Sequence, residues 1–487
     1  MKKLGKTPTR RDPGPPSLAD IPFRKLVQLD EELRAFPMQR YAGEHQPEAS
    51  RANISPGDTL PGHSKAASAA EVTATEPAPA DPRICSGFEH TERKAKVSMR
   101  WVASLLGGVL LIGSAAWSRA GEWIDVGDDA SLRQALSAAG PGTRIRIAPG
   151  EYRPGIHVRG LQGTPEEPIV IEGADPHDPP RFHGGSTGWQ LSDCAHVTLR
   201  HLAVSGQSQN GINIDDGGTY DTPSRHLRLE HLHVSRVGPR GNRDGIKLSG
   251  VVDFVICECT IEGWGGQAID MVGCHRGLIE RCRFVGRDGF SQGAGPQAKG
   301  GSSEIVIRQC LFLDAGQRAI NIGGSTGLAY FRPQGAPYEA RDITVEGCQF
   351  VGSTAPLAFV GVDGATVRYN TIYRPERWVL RILQETTEPG FVACRHGVFE
   401  RNLIVYRRDQ ISTVVNIGPH TAAETFRFAD NFWFCEDRPA ASRPELPAAE
   451  SGGVYGIDPQ LEAPAQHRLR PRNPQAAGYG AHAWPDS

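Results

Sequence analysis

Apolar and polar residues alternate along this chain in short runs, and the runs recur. From residue 196 onward HVTLRHLAV, HLRLEHLHV (226), FVICECTI (254), GLIERCRF (277), IVIRQCLF, ITVEGCQF, ATVRYNTI, GVFERNLI and FRFADNFW follow one another at intervals of 22 to 38 residues. Within each run the period is two, as in a strand with one buried face. Repetition at this interval predicts a solenoid in which each copy contributes one turn. Aligned, the copies give a column of Leu202, Leu232, Cys259, Cys282, Cys310, Cys348, Asn370, Asn402 and Asn431, and two residues on a second column of Val204, Val234, Ile261, Phe284, Phe312, Phe350, Ile372, Ile404 and Trp433. Small thiols and amides beside bulky apolar groups suit a narrow parallel coil, because like side chains stack at the strand spacing of about 4.8 Å and Asn amides bond one another along the axis. The expected fold is all-β, a right-handed parallel β-helix. Leu132–Leu136 is expected to form a short amphipathic helix, N-capped by Ser131, that plugs the open end. Strands are expected next at 144–148 and 168–173.

A second apolar strand follows in each turn: GINID (211), DGIKL (244), QAIDM (267), PQAKG (296), AINIG (319), AFVGV (358), VLRIL (379) and VVNIG (414). The outward position of these strands reads Asn213, Lys247, Asp270, Lys299, Asn321, Val360, Arg381 and Asn416. Stacked in register, Lys247, Asp270 and Lys299 would make one charged stripe on the outer face of a parallel sheet. Two meanings are open for it. It can be a solvated surface with an incidental ion pair, since exposed pairs contribute little. It can also be a trough for an acidic sugar chain, in which lysines neutralise carboxylates while Asn213, Gln297, Asn321 and Asn416 bond hydroxyls.

The termini and the composition limit the partners and the compartment. The 487 residues carry 53 basic and 55 acidic side chains, with no basic footprint for nucleic acid. Residues 1–98 are rich in Pro, Ala and charge and lack any strand period, so disorder is expected there, or a start codon placed too early. From Met99, basic residues, an uncharged run over 101–117 and Ser118-Arg119-Ala120 read as a signal peptide ending at 120. If that run is kept, it is a single-pass anchor. Either way residues 121–487 are exported, to the periplasm or the medium, with 121–435 the β-helix and 436–487 a loop and closing segment. A monomer is expected. Of the ten cysteines, Cys259, Cys282, Cys310 and Cys348 belong to the inward column, and Cys257 is placed on the same face. Cys394 with Cys435, in adjacent late turns, is the one candidate disulfide.

GEYRPGIHVRGLQGTPEEPIVIEG, with the turns after it, resembles the right-handed β-helix proteins of the pectate-lyase-like superfamily over about 121–435. QAKGGSSEIVIRQCLFLDAG is similar to the part of chondroitinase B and related alginate lyases in which a Lys followed by small residues is the Brønsted base. That resemblance implies β-elimination on a uronate polymer, with Lys299 as base, and a calcium ion. The calcium-binding acids of those lyases, five and seven residues before the lysine, correspond to Ala294 and Gln292 here. Their acidic Arg corresponds to Asn321 or Ile322, which would pass its role to Arg318 or Arg381.

The chemistry agrees with the stripe. Removing a proton α to a carboxylate builds charge on that carboxylate, so the site needs cations beside it and a base. Lys299, Lys247, Arg318 and Asp270 are therefore the catalytic candidates, and Arg381 a substrate-neutralising one. Asp244 and Asp270 are the candidates for a hard cation, with Asp215 and Asp216 more simply a turn. C5 epimerisation begins with the same proton abstraction, and a non-catalytic polysaccharide-binding solenoid is the alternative outside enzymes. Hydrolysis of the polygalacturonase type needs a Gly-His-Gly and an Arg-x-Lys element that the chain lacks. Asp175-Pro176-His177-Asp178 is similar to a motif of alginate epimerases but sits in a Pro-rich turn. His201, His231 and His233, on neighbouring turns, are read as a surface row rather than a zinc site. Tyr330-Phe331-Arg332, in the 38-residue turn, are expected to wall the trough, where aromatic rings stack on sugars.

Overall fold

The computed structural model describes residues 121–485. The expected disorder of 1–98 and the signal or anchor at 99–120 lie outside the described residues. Three long parallel sheets, of twelve, ten and twelve strands, carry the fold. One turn shows how: Val251–Cys257 lies in the first sheet, Thr260–Trp264 in the second and Gln267–Val272 in the third. Each pairs only with its equivalents in the turns before and after, as in Phe254 with Gly277 and Ile261 with Phe284. The chain is a right-handed parallel β-helix. Helix Asp129–Ser137 covers its start, burying Leu132, Ala135 and Leu136. Its N-cap is Asp128, whose side chain accepts from the Ser131 amide, while Ser131 returns the bond at the third helical position. Ser131 is thus half of a capping box rather than the cap.

The interior is a set of stacks. Phe284, Phe312 and Phe350 lie face to face, 4.8 and 4.6 Å between centroids. In the late turns Asn402 Nδ2 donates to Asn431 Oδ1 at 3.0 Å and Asn370 Nδ2 to Asn402 Oδ1 at 3.0 Å, while the same acceptors take the backbone amides of Asn402 and Asn370. In the middle turns the Cys259, Cys282, Cys310 and Cys348 thiols donate to the carbonyl two residues back. Burial pushes the thiols of Cys259, Cys282 and Cys310 well up. The residue before each ladder position is left-handed: His201, His231, Glu258, Arg281, Gln309, Tyr369, Arg401 and Asp430 all have φ between 50 and 56°. One such residue turns the chain from the first sheet into the second and resets the alternation of faces.

That reset moves Cys257. It stands before the left-handed Glu258, in register with Glu230 and Glu280, so it faces the charged exterior and not the ladder. The nine described cysteines are all free, Cys394 and Cys435 included. Cys394 occupies the corner after the third sheet, its amide bonded to Gln384, whereas Cys435 ends a second-sheet strand and donates to Asp437. The expected disulfide pairs two different corners of the coil. After Cys435 the chain adds Val454–Tyr455 to the second sheet and then a small antiparallel hairpin, Leu461–Ala463 with Arg468–Pro471. None of the described helices is long and apolar enough to cross a membrane.

Candidate functional site

The outer face of the third sheet carries the charged stripe. Its register runs Gln190, Asn213, Lys247, Asp270, Gln297, Asn321, Ala358, Arg381, Asn416. Two residues differ from the sequence-based column: Gln297 stands where Lys299 was expected, and Ala358 where Val360 was. In the strand Ala294–Lys299, Gln297, which is buried, and Lys299 share one face while Pro296 and Ala298 take the other, so alternation allows either polar residue into the column. Lys299 belongs one step further along the strand, in register with Val272.

Its long side chain nonetheless returns to the stripe. Lys299 Nζ lies 2.9 Å from Asp270 Oδ1, Lys247 Nζ bonds Asp270 Oδ2, and Lys247 Nζ is also 3.3 Å from Asp244 Oδ2. Both aspartate side chains are fully buried, while Lys247 and Lys299 keep 21% and 14% of their side-chain surface. The lysines therefore lie nearer the surface and the carboxylates beneath them. Burial pushes the Asp244 carboxyl up, and repulsion from Asp270 adds to it. Burial also opposes ionisation of Asp270, but the ammonium groups of Lys299 and Lys247 outweigh it and hold that carboxyl below its ordinary value. Lys247 is held above its ordinary value, burial being outweighed by Asp270 and Asp244. Two ammonium groups thus share one ionised carboxylate, and when Asp244 holds its proton the cluster has a surplus positive charge.

The backbone around this cluster is fixed by residues that carry no motif. Gly300 and Gly301, directly after Lys299, have φ of 64 and 87°, and a Cβ on Gly301 would meet the Arg332 carbonyl at 2.7 Å. Glu339, fully buried, accepts from the Gly300 amide at 2.8 Å, from the Thr326 amide at 2.8 Å and from the Thr386 hydroxyl at 2.9 Å. It is 39 residues from Gly300 in sequence, at the end of the long insertion, and no local pattern announces it. In the same insertion Arg332 bonds buried Asp216 through Nε at 2.6 Å and Nη2 at 3.1 Å and lies over Tyr220. Phe331 is buried against Phe391, so of the expected aromatic wall Tyr330 alone is exposed.

The remaining candidates lie on either side of this cluster along the column. Arg318 donates to Asn321 Oδ1 at 3.2 Å and to Glu385 at 2.8 Å. It is in register with Ala294, five residues before Lys299, so the two backbones are roughly 17 Å apart along the strand direction. Arg381 donates to Asn416 Oδ1 at 2.8 Å and lies over Trp378, which Arg377 also covers. Burial and the nearby Arg318 charge lower the Arg381 guanidinium. At the early end, Asn213 donates to Gln190 at 2.8 Å and to Asp215 at 3.2 Å, and Gln297 donates to the Gly323 carbonyl at 3.0 Å.

The calcium ion implied by the resemblance does not fit these residues. A hard cation takes six to eight oxygens, yet Asp244 and Asp270 are already faced by ammonium groups. Of the two corresponding positions, Ala294 has no ligand atom in its side chain, and Gln292 spends its amide on the Arg287 backbone. His201 and His231 stack ring on ring at 4.8 Å, and His233 lies near Glu262 instead.

Residues 190–371 match the family described as "Right handed beta helix region". No curated protein sequence matches the chain. Among solved structures it is similar to an alginate lyase from Paenibacillus sp. str. FPU-7, at 17% identity over 61% of this chain and 96% of that one, TM-score 0.41. It is also similar to a family 6 polysaccharide lyase from Pseudopedobacter saltans, at 12% identity over 74% and 99%, TM-score 0.44. A GH136 lacto-N-biosidase from Eubacterium ramulus gives 14% identity over 68% and 67%, TM-score 0.47. Strand register and the matched region together make this chain a right-handed parallel β-helix.

Proposed function

We propose that the third-sheet trough binds a uronate-bearing polysaccharide and cleaves it by β-elimination. The observation that carries this reading is the Lys247–Asp270–Lys299 bridge, two ammonium groups over one ionised carboxylate. A substrate carboxylate supplies the negative charge that the cluster lacks, and Lys247, held charged by its two aspartates, is suited to neutralise the charge that grows there during proton removal. Lys299 then acts as base after its ammonium proton has passed to solvent. It takes the proton from C5, the C–H electrons form the C4–C5 double bond, the C4–O4 bond breaks, and the departing oxygen takes a proton from solvent. Asp270 and Asp244 act through the lysines as positioning residues. No step is routed through a metal.

A hydrolase would use the two aspartates directly, since their environments push their carboxyls apart. Their complete burial beneath Lys247 and Lys299 favours the elimination reading. Export of the β-helix by residues 99–120 belongs to the same proposal, because such polymers lie outside the cell. The test is incubation of the protein with alginate, pectate and glycosaminoglycans while following the ultraviolet absorbance of an unsaturated uronate. We expect one polymer to give it and Lys299→Ala to abolish it. If no polymer is shortened or unsaturated, the trough only binds; if C5 configuration changes without cleavage, the enzyme is an epimerase. Full activity in Lys299→Ala would remove Lys299 as the base.

A further inference from the structure

A second polar recess lies away from the trough and shares none of its residues. It has a volume of about 720 Å³ and lies between the corner of the first and second sheets and the C-terminal segment. Its floor is a register column of the second sheet, Thr260, Arg283, Leu311, Gln349 and Thr371, with Arg281 and Gln309 at the corner beside it. Its wall is the strand Arg468–Pro471 with His467 and His482. The wall stands where it does because Leu469 is packed with Tyr373, Leu403, Phe432 and Phe434 in the later turns. That contact anchors the segment and leaves it overhanging the earlier ones.

The recess is rich in cations. Four arginines and two histidines line it against Glu258 and Glu462. Arg281 is already paired with Glu258 and Glu280, whereas Arg470 is exposed and Arg468 Nε is buried without a hydrogen-bond partner. Burial pushes both imidazoles down; the Arg283 charge adds to this at His467, and at His482 the Arg470 charge does so against the Ala477 carbonyl. Like charges are therefore crowded here, and an anion relieves them. The size is that of a small-ligand pocket. Its extent over five turns, with hydroxyls and amides set between the guanidinium groups, fits an elongated, hydroxyl-bearing anion better than a compact one.

We propose that this recess is a second binding site, for a short carboxylate-bearing oligosaccharide, whose carboxylates meet Arg468, Arg470 and Arg283 while Thr260, Gln309 and Gln349 bond its hydroxyls. The site stands whether or not the trough is catalytic. It is tested by isothermal titration calorimetry on the full chain carrying Lys299→Ala, which keeps the probe intact, with a saturated tetragalacturonate, neutral cellotetraose and inorganic phosphate as probes. The expected result is that tetragalacturonate binds, that cellotetraose and phosphate do not compete, and that adding Arg470→Glu weakens one binding event at least tenfold with an unchanged melting temperature. Arg468→Gln should weaken the same event. Binding indifferent to both substitutions would overturn the site, and phosphate binding as tightly as the tetrasaccharide would overturn the sugar.

Discussion

Asp270→Asn tests whether one buried carboxylate holds the trough together. Asp270 has an ammonium group on each oxygen, Lys247 on Oδ2 and Lys299 on Oδ1. An amide can accept through one side only, so whichever way it is flipped its NH2 group faces a second donor. At about 3 Å and an effective dielectric near 20, each lost attraction is roughly 5 kcal/mol gross. Net of desolvation, removing one partner of a buried pair costs about 3–5 kcal/mol. Two features reduce this. The lysines can extend toward water, and Asp244, freed of repulsion from Asp270, can ionise and pair with Lys247. The expected loss is therefore about 2–4 kcal/mol, local to Ile246–Ser249, Gln267–Val272 and Ala294–Lys299.

Because a solenoid need not unfold in one step, hydrogen exchange of these three strands is the suitable assay. Adding Lys299→Met removes the donor that the amide cannot satisfy, and the double variant should recover to within about 1 kcal/mol of wild type. A change under about 0.5 kcal/mol in Asp270→Asn, or no recovery in the double variant, would refute the shared-carboxylate account. The sign with pH is also set. Asp270 is lowered in the folded state, so its contribution is present above the unfolded value near 3.8 and disappears as pH falls through the folded one. Asp244 is raised, so its ionisation costs stability as pH rises through its folded value. In Asp270→Asn the first dependence vanishes and the second weakens.

Three further outcomes follow from the packing. Arg332→Ala leaves Asp216 buried without its partner and should cost about 3–5 kcal/mol, seen as faster proteolysis within residues 324–339; equal protease resistance would show that the insertion is held by other contacts. Phe312→Ala opens the middle of a three-ring stack and should lower stability by about 3–5 kcal/mol, against less than about 1.5 for Phe312→Leu, measured by denaturant unfolding. His201 is pushed down to about 4, chiefly by burial and then by His231 and Arg200. Its neutral form is favoured in the folded state, so its contribution is present above the unfolded value near 6.5 and is lost as pH falls toward 4. An NMR titration of its ring should give a midpoint near 4, and a midpoint above 6 would mean that the stacked pair is open to water.

The coil itself was legible because its information is local and repeated nine times: an apolar strand, a small or amide ladder residue, a bulky apolar residue two positions on. Stack geometry follows from that repetition, and the Asn and Phe columns stand where alignment puts them. What alignment missed has two physical origins. A left-handed Glu258 turns Cys257 outward, and neither residue type announces such a φ in sequence. In the strand Ala294–Lys299 the alternation is kept, yet it offers two outward polar positions, and only pairing with Asp270 selects Gln297 for the column.

The charged cluster survives this error for a reason specific to lysine. A side chain with four methylenes spans one two-residue step along a strand, so Lys299 reaches Asp270 from the neighbouring position as well as it would from the column itself. A shorter residue at 299 would have been lost to the site by the same slip. Sequence therefore identified which charges meet but not from where. The supports of that arrangement, Glu339 beneath Gly300 and Arg332 on Asp216, come from an insertion whose contacts are 39 and 116 residues apart in sequence. No period carries such contacts, because an insertion occurs once while a period can be read only from what recurs. The same holds for the C-terminal wall over Arg283 and Gln349: a solenoid's repeats specify its shape, and its single-copy additions specify where that shape can be put to use.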